Sequence, residues 1–89
     1  MIEEIPDPNA AGGKIIGDTF IKIRQPVVFK FDGNIGAVWE VDKKYPVILD
    51  IDKDDPRIVV VTWDGSFSGQ FELHYGQYAS KTIVVESLF

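Results

Sequence analysis

The sequence predicts an all-β fold, an antiparallel β-sandwich of about seven strands. Val, Ile and aromatic residues, which favour strands, dominate the apolar 45% of the 89 residues. Short apolar stretches recur at roughly 8–12-residue spacing between Gly, Pro and Asp-Gly turns, as in a sandwich. No stretch of about a dozen residues holds apolar side chains at helical spacing. A small barrel is the alternative architecture.

The N-terminal segment, residues 1–14, differs from the rest of the chain. Pro6, Gly12 and Gly13 contribute to its many turn-favouring residues, and its apolar residues show no period. Such a segment predicts a flexible arm or linker. The sandwich is therefore predicted over residues 15–89.

The rest of the chain divides into short strand-like stretches. The first is broken at Gly17-Asp18, and turn-forming residues separate the others. Within each stretch, residues two apart share a face, as Val27, Phe29 and Phe31 do. The predicted strands are residues 14–16 with 20–24, 27–31, 37–42, 47–51, 57–63, 70–75 and 81–88.

Two of these strands carry the clearest pattern. Residues 57–63 are almost continuously apolar, which predicts a central, buried strand. Residues 70–75 alternate apolar and polar side chains, which predicts one face on a core and one in water. The Gly and Ser residues between them are typical of a tight turn. We therefore expect the two strands to pair with each other across this turn.

The last predicted strand, residues 81–88, is apolar on both faces. Such a strand is either central in its sheet or covered by something else. If it lies at an edge, it requires protection because exposed edges recruit other chains. We therefore expect this strand or the adjoining terminus to meet another subunit, with Val84, Leu88 and Phe89 as candidate contacts.

Composition limits the classes of partner. The net charge of −5 argues against nucleic-acid binding, which depends on Lys and Arg. No apolar run approaches the roughly 20 residues that a membrane-spanning helix needs, so no membrane insertion is expected. The first residues have no basic start or apolar stretch typical of a secretory signal. The absence of cysteine favours folding in a reducing compartment.

Several segments together resemble a known family. The chain resembles the immunoglobulin-like, PKD-type β-sandwich over about residues 15–88, and these packing motifs specify fold better than task. The segments that carry the resemblance are Ile16-Gly17-Asp18, Gln25-Pro26-Val27-Val28-Phe29, Trp39 on the third strand, Ile58-x-Val60-x-Thr62-Trp63, Phe67-Ser68-Gly69-x-Phe71-x-Leu73 and Lys81-Thr82-Ile83-Val84-Val85.

Cysteine-free domains of this type occur in tailed bacteriophages, where they decorate capsids or attach to tail and baseplate proteins. The resemblance therefore implies a non-enzymatic structural protein of a phage particle, located in a virion that assembles in the host cytoplasm. Its partners would be capsid or tail proteins, or further copies of itself. The alternative is an adhesive or spacer module at a bacterial cell surface, with carbohydrate as one candidate ligand.

No group of residues predicts catalysis or a cofactor. Asp50, Asp52 and Asp54 alternate as in the start of a calcium-binding loop, but Asp55 and Val61 stand where that loop needs Gly and Glu. A solvated acidic turn explains them better, so they remain weak metal candidates. The single histidine, on the polar side of strand 70–75, has no Cys or second His nearby to complete a metal site. We expect no enzyme activity.

Aromatic residues near the Gly-Ser turn suggest a second contact region. Trp39 lies where an immunoglobulin-like core tryptophan is expected, which favours a core role. Trp63 ends a buried strand beside Asp64-Gly65, so we expect it to be half exposed. Together with Phe67 it forms a candidate partner-contact patch, or a stacking platform for a sugar.

Overall fold

A computed structural model describes residues 13–34 and 36–86. These residues form two four-stranded sheets that pack against each other, so the predicted all-β sandwich is confirmed. None of them forms a helix long and apolar enough to cross a membrane. The strands are β1 (Ile15–Ile16), β2 (Phe20–Lys22), β3 (Val27–Phe31), β4 (Trp39–Glu40), β5 (Val47–Ile51), β6 (Ile58–Trp63), β7 (Gly69–Tyr75) and β8 (Ala79–Glu86).

The two sheets differ in strand direction. Sheet I has the order β1-β3-β6-β5, and all its neighbouring strands are antiparallel. Sheet II has the order β2-β8-β7-β4, and its β2–β8 pair is parallel, with Phe20 opposite Val84. The expectation of a purely antiparallel sandwich is therefore wrong for this pair. The reason is that the chain crosses from sheet I to sheet II between β1 and β2, which places β2 alongside the last strand.

The predicted break in the first strand is confirmed at Gly17. Its φ of 156° is one that residues with a side chain rarely adopt, and a Cβ there would lie 2.2 Å from the Phe29 ring. The absence of a side chain thus lets the backbone turn over this buried ring. The two halves of the predicted strand consequently belong to opposite sheets.

The expected hairpin between residues 57–63 and 70–75 is wrong. β6 pairs with β3 and β5 in sheet I, whereas β7 pairs with β8 and β4 in sheet II. Val61 and Trp63 on β6 and Phe71 on β7 therefore face each other across the core rather than along one sheet. An alternating pattern shows which side of a strand is buried, but it does not identify the neighbouring strand.

Aromatic rings fill much of the core between the sheets. Phe31 stacks on Tyr75 with ring centroids 4.3 Å apart, and Trp63 stacks on Phe71 at 5.8 Å. The buried hydrophobic residues are Ile15, Ile21, Ile23, Phe29, Phe31, Trp39, Val59, Val61, Trp63, Phe71, Leu73, Tyr75, Ile83 and Val85. Because side chains from both sheets interdigitate here, this layer holds the two sheets together.

Both tryptophans are buried with their indole N–H groups hydrogen-bonded. Trp39 Nε1 donates to the Pro56 carbonyl at 2.9 Å, and Trp63 Nε1 donates to the Phe67 carbonyl at the same distance. The expected core role of Trp39 is therefore confirmed. The expectation that Trp63 is half exposed is wrong, since only 1% of its surface is accessible. The loop after β6 folds back over the indole ring.

The last strand, β8, lies inside sheet II between β2 and β7. Ile83 and Val85 belong to the core, whereas Val84 is half-buried beside Phe20 on the outer face. The apolar residues on both faces of β8 are thus explained by its position between β2 and β7, although β2 pairs only with residues 84–86. Leu88 and Phe89 lie outside the described residues.

The boundary of one other predicted segment shifts. The predicted strand 37–42 shortens to β4, and Val41 lies beyond it, packed against the core. Residues 1–12 of the predicted arm lie outside the described residues. Lys14, predicted to end the arm, is tied to sheet I: its backbone N–H donates to the Asp32 carboxylate at 2.8 Å, and its carbonyl accepts from the Asp32 N–H at 3.1 Å.

Candidate functional site

The outer face of sheet I carries exposed apolar side chains on adjacent strands. Val28 is 59% exposed, Ile48 52% and Ile16 49%. Ile58 and Val60, half-buried, lie on the same face of the central strand β6. We call these five residues the outer patch.

The strand register makes the outer patch continuous. Val28 on β3 lies opposite Val60 on β6, and Ile58 lies opposite Lys30. Ile16 on β1 lies opposite Lys30 from the other side. Side chains opposite or diagonal to one another on one face of a sheet lie within about 8 Å, close enough to form a single surface.

One cation lies among the residues of the outer patch and one anion lies beside them on the same face. Lys30 lies between Ile16 and Ile58, and Asp50 on β5 lies opposite Val60. Ile58, Val60 and Asp50 also line a shallow depression beside the turn that follows β5. An apolar centre with a charged rim is the usual composition of a protein–protein contact surface.

The outer face of sheet II is mostly polar, which sets the outer patch apart. Its apolar exceptions are exposed Phe20, which lies beside half-buried Val84, and exposed Val38, which directly precedes β4. The polar side chains on this face are Lys22, Glu40, Gln70, Glu72, His74, Ser80, Thr82 and Glu86. The outer face of sheet I therefore carries more apolar side chains than the outer face of sheet II, and it is the better candidate for an apolar contact with another protein.

The weak metal candidates lie in a turn that is held by internal hydrogen bonds. The Asp52 carboxylate accepts from the backbone N–H groups of Asp54 at 3.2 Å and Asp55 at 2.8 Å. Asp50 lies apart from them on the face of β5. Among the described residues, no group of three or more potential ligands is placed to hold a metal ion. Of these three carboxylates, that of Asp52 holds the turn.

An ion pair fixes the end of this turn against the sandwich. Arg57 Nε donates to Asp55 Oδ1 at 3.0 Å, and its Nη2 donates to Oδ2 at 3.1 Å. Arg57 Nη1 also donates to the Gly33 carbonyl at 3.0 Å. The hydrogen bonds from Arg57 lower the pKa of the Asp55 carboxyl, and those to Asp55 raise the pKa of the guanidinium. The pair joins the loop before β6 to the loop after β3.

Three polar side chains with catalytic potential come together on the outer face of sheet II. His74 lies opposite Ser80 across the β7–β8 pair, and its Nε2 lies 3.6 Å from a Glu72 carboxylate oxygen. That distance is too long for a hydrogen bond. No hydrogen bond joins the histidine to Ser80, and both residues are within the described part of the chain. The arrangement therefore supplies no activated nucleophile.

The predicted contact residues are distributed over several places. Trp63 is buried and provides no contact surface, whereas Phe67 is 57% exposed with its ring edge-on to Trp63 at 5.5 Å. Phe67 and Val84 stay predictions, and neither belongs to the outer patch. The sequence reasoning missed the patch, although the pairs Val27-Val28 and Val47-Ile48 signal it, because adjacent apolar residues in a strand occupy both faces.

Comparison of the chain with protein-family models, curated proteins and solved structures gave no match.

Proposed function

We propose that this chain is a non-enzymatic structural protein of a tailed-phage particle, either a capsid decoration or a tail or baseplate accessory. It docks onto another virion protein through the outer patch. The observation that supports this most is the contrast between the apolar outer face of sheet I and the mostly polar outer face of sheet II. A group of exposed apolar side chains on one face is typical of a surface that another protein covers.

The energetics of docking favour a contact larger than the outer patch itself. Fully burying an apolar side chain of this size contributes about 1.5–3 kcal/mol relative to leaving it exposed. Association costs about 4–15 kcal/mol in lost freedom of motion, so Val28, Ile48 and Ile16 alone give weak binding. A stable contact buries about 800 Å² on each partner. Lys30, among the patch residues, and Asp50, beside them, would therefore belong to it and set its orientation.

Support for a non-enzymatic role comes from the polar groups. His74 has no hydrogen-bonded nucleophile or carboxylate within the described part of the chain, and the acidic turn uses its carboxylates to bond its own backbone. A fixed proton acceptor beside a nucleophile is the minimum for covalent catalysis. Binding through a surface requires neither.

The phage setting rests on the resemblance of the sequence segments around Trp39, Phe67 and Ile83. The alternative, an adhesive or spacer module at a bacterial surface, rests on the same resemblance. Sugar stacking at Trp63 has less support, because stacking needs an exposed ring and this indole is covered. The location of the chain, in purified particles or on the cell surface, separates the two settings.

Incorporation into particles tests the proposal. Ile16→Lys with Val28→Lys places two charges on the outer patch, and Gln70→Lys with Thr82→Lys gives a matched control on the outer face of sheet II. We expect purified particles to contain the wild-type and control chains but at least tenfold less of the patch variant. Equal incorporation of both variants contradicts the proposed docking face, and absence of the wild-type chain from particles contradicts the phage assignment.

A further inference from the structure

The four edge strands of the sandwich are not equally protected. β1 and β4 have two residues each and β2 has three, and very short edge strands resist pairing with other chains. β5 at the edge of sheet I has five residues, and its register with β6 runs without a bulge. It contains neither Lys nor an internal Pro, the residues that commonly blunt an edge. β5 is therefore the longest of the four edge strands and has the least protection of its own.

The backbone N–H and C=O groups of successive β5 residues point alternately toward β6 and away from it. The N–H of Asp64 donates to the Pro46 carbonyl at 2.7 Å, and the N–H of Asp52 donates to the Ile58 carbonyl at 2.9 Å. Both bonds involve an even-numbered residue on the β5 side. Because antiparallel strands bond through every second residue, the N–H and C=O groups of the even-numbered residues of β5 point toward β6. Leu49 and Ile51 then point theirs away from β6. Among the described residues, no strand pairs with β5 on that side.

Charges are distributed asymmetrically along β5 and its flanks. Residues 42–44, which precede the strand, carry a net charge of +1, whereas residues 52–55, which follow it, carry a net charge of −2. Ile48 is 52% exposed on one face of the strand and Ile51 40% on the other. A strand with a basic start, an acidic end and exposed apolar residues complements its own antiparallel copy, because reversal places each basic end beside an acidic end.

We propose that β5 pairs with β5 of a second copy of this chain, antiparallel, about a two-fold axis at Leu49. The two Leu49 residues exchange both backbone N–H···O=C bonds, and sheet I continues across both copies. Ile48 then lies opposite Asp50 of the second copy, and Lys44 lies opposite its Asp54. The interface is isologous, as in most homodimers.

The chemistry of the strand selects this register. Moving the axis from Leu49 to Asp50 places the two Asp50 carboxylates opposite each other in a closely spaced pair, and like charges opposite one another are destabilising. Moving the axis to Ile48 places Ile51 opposite Tyr45 of the second copy, which precedes the strand, so fewer strand residues are paired. Only the axis at Leu49 pairs all of Val47–Ile51 with the same residues of the second copy.

Cysteine cross-linking tests the register directly, because the wild-type chain has no cysteine. Residues opposite each other in a non-hydrogen-bonded antiparallel pair have Cβ atoms about 4.5–5.5 Å apart, which is near the distance that a disulfide can bridge. We expect Ile48→Cys with Asp50→Cys to form a disulfide-linked dimer on mild oxidation of the purified protein. The single variant Ile48→Cys is the control, since the two Ile48 positions are offset along the strands in this register. The register is overturned if the double and single variants cross-link equally, or if neither variant cross-links.

A charge exchange tests the interface without a covalent bond. We expect Lys44→Glu and Asp54→Lys each to raise the dimer dissociation constant at least fivefold in sedimentation at low salt. The double variant should restore it, because the charges are exchanged but remain opposite. Lys14→Glu, at the opposite edge of sheet I, makes the same change in net charge as Lys44→Glu and should leave dimerisation unchanged.

A wild-type chain that sediments as a monomer at millimolar concentration overturns the dimer. So does a double variant that fails to regain the dimer while its circular dichroism matches the wild type. These measurements use the purified chain alone, so they succeed or fail independently of incorporation into particles.

Discussion

Val28 lies opposite Val60 on the solvent side of sheet I, while Phe29, the next residue along β3, is fully buried. Adjacent residues of one strand thus place apolar side chains both in the core and in solvent. Burial in the core explains Phe29 but not Val28, whose β-branched side chain contributes strand propensity alone. The outer patch is therefore the surface of the sandwich whose apolar character the fold itself does not explain.

The two faces of β3 are expected to respond differently to substitution. Val28→Thr should change the free energy of unfolding by less than about 0.5 kcal/mol, as exposed substitutions usually do. Phe29→Ala should cost about 3–5 kcal/mol, because it opens a cavity in the core. Urea denaturation followed by tryptophan fluorescence measures both. A loss above about 1 kcal/mol for Val28→Thr would indicate that Val28 supports the fold itself.

The indole N–H of Trp63 is expected to stabilise the loop that follows β6. Trp63→Phe removes its hydrogen bond to the Phe67 carbonyl, worth about 1 kcal/mol, and leaves a void in the core, so we expect a total loss of about 2–3 kcal/mol. Phe67→Leu keeps the accepting carbonyl and changes only an exposed ring, so it is the matched control. Thermal or urea unfolding measures both variants. Equal losses would mean that the exposed ring, rather than the hydrogen bond, holds the loop.

Gly76, in the turn between β7 and β8, is expected to be required for two reasons: its backbone conformation and the atoms packed close to its Cα. Gly76 has a φ of 55°, and a Cβ there would lie 2.8 Å from the Ala37 side chain. Gly76→Ala should therefore cost at least about 1 kcal/mol of unfolding free energy. Gly36→Ala is the control, because a Cβ at Gly36 meets nothing within 4 Å. The same loss in both variants would contradict this account, because the effect of Gly→Ala on the unfolded chain is to stabilise the folded protein.

The Asp55–Arg57 pair is expected to make stability depend on pH in the acid range. Its hydrogen bonds lower the pKa of Asp55 in the folded protein, so its contribution is fully present above the unfolded value of about 3.9. That contribution is lost as the pH falls through the lower, folded pKa. Asp55→Asn should therefore be less stable than wild type at pH 7, with a difference that shrinks below about pH 4.

Asp54→Asn is the control for this measurement, because the hydrogen bonds of the turn use the Asp54 backbone N–H rather than its carboxylate. Urea unfolding at a series of pH values gives the free energy for wild type and both variants. A difference between wild type and Asp55→Asn that stays constant from pH 7 to pH 2.5 would contradict a role for the ionised pair.

The sequence predicts which residues form strands better than it predicts which strands are neighbours. Strand 47–51 is confirmed with the same bounds, because apolar runs and turn residues are local signals. The prediction that β6 pairs with β7 was wrong, because a strand shows the same period-two alternation whichever strand lies beside it. The burial of Trp63 depends on a loop folding back, and the hydrogen bond from Arg57 to the Gly33 carbonyl joins residues 24 apart in the sequence, so neither follows from a local pattern.

Photo-cross-linking in assembled particles tests the central claim most directly. A photoreactive residue at position 28 lies on the outer patch, and one at position 82 lies on the outer face of sheet II. The outer patch docking predicts that position 28 cross-links to one particular capsid or tail protein in purified particles and that position 82 does not. Cross-linking to the same protein from position 82 alone, or from neither position in particles that contain the chain, would contradict the claim.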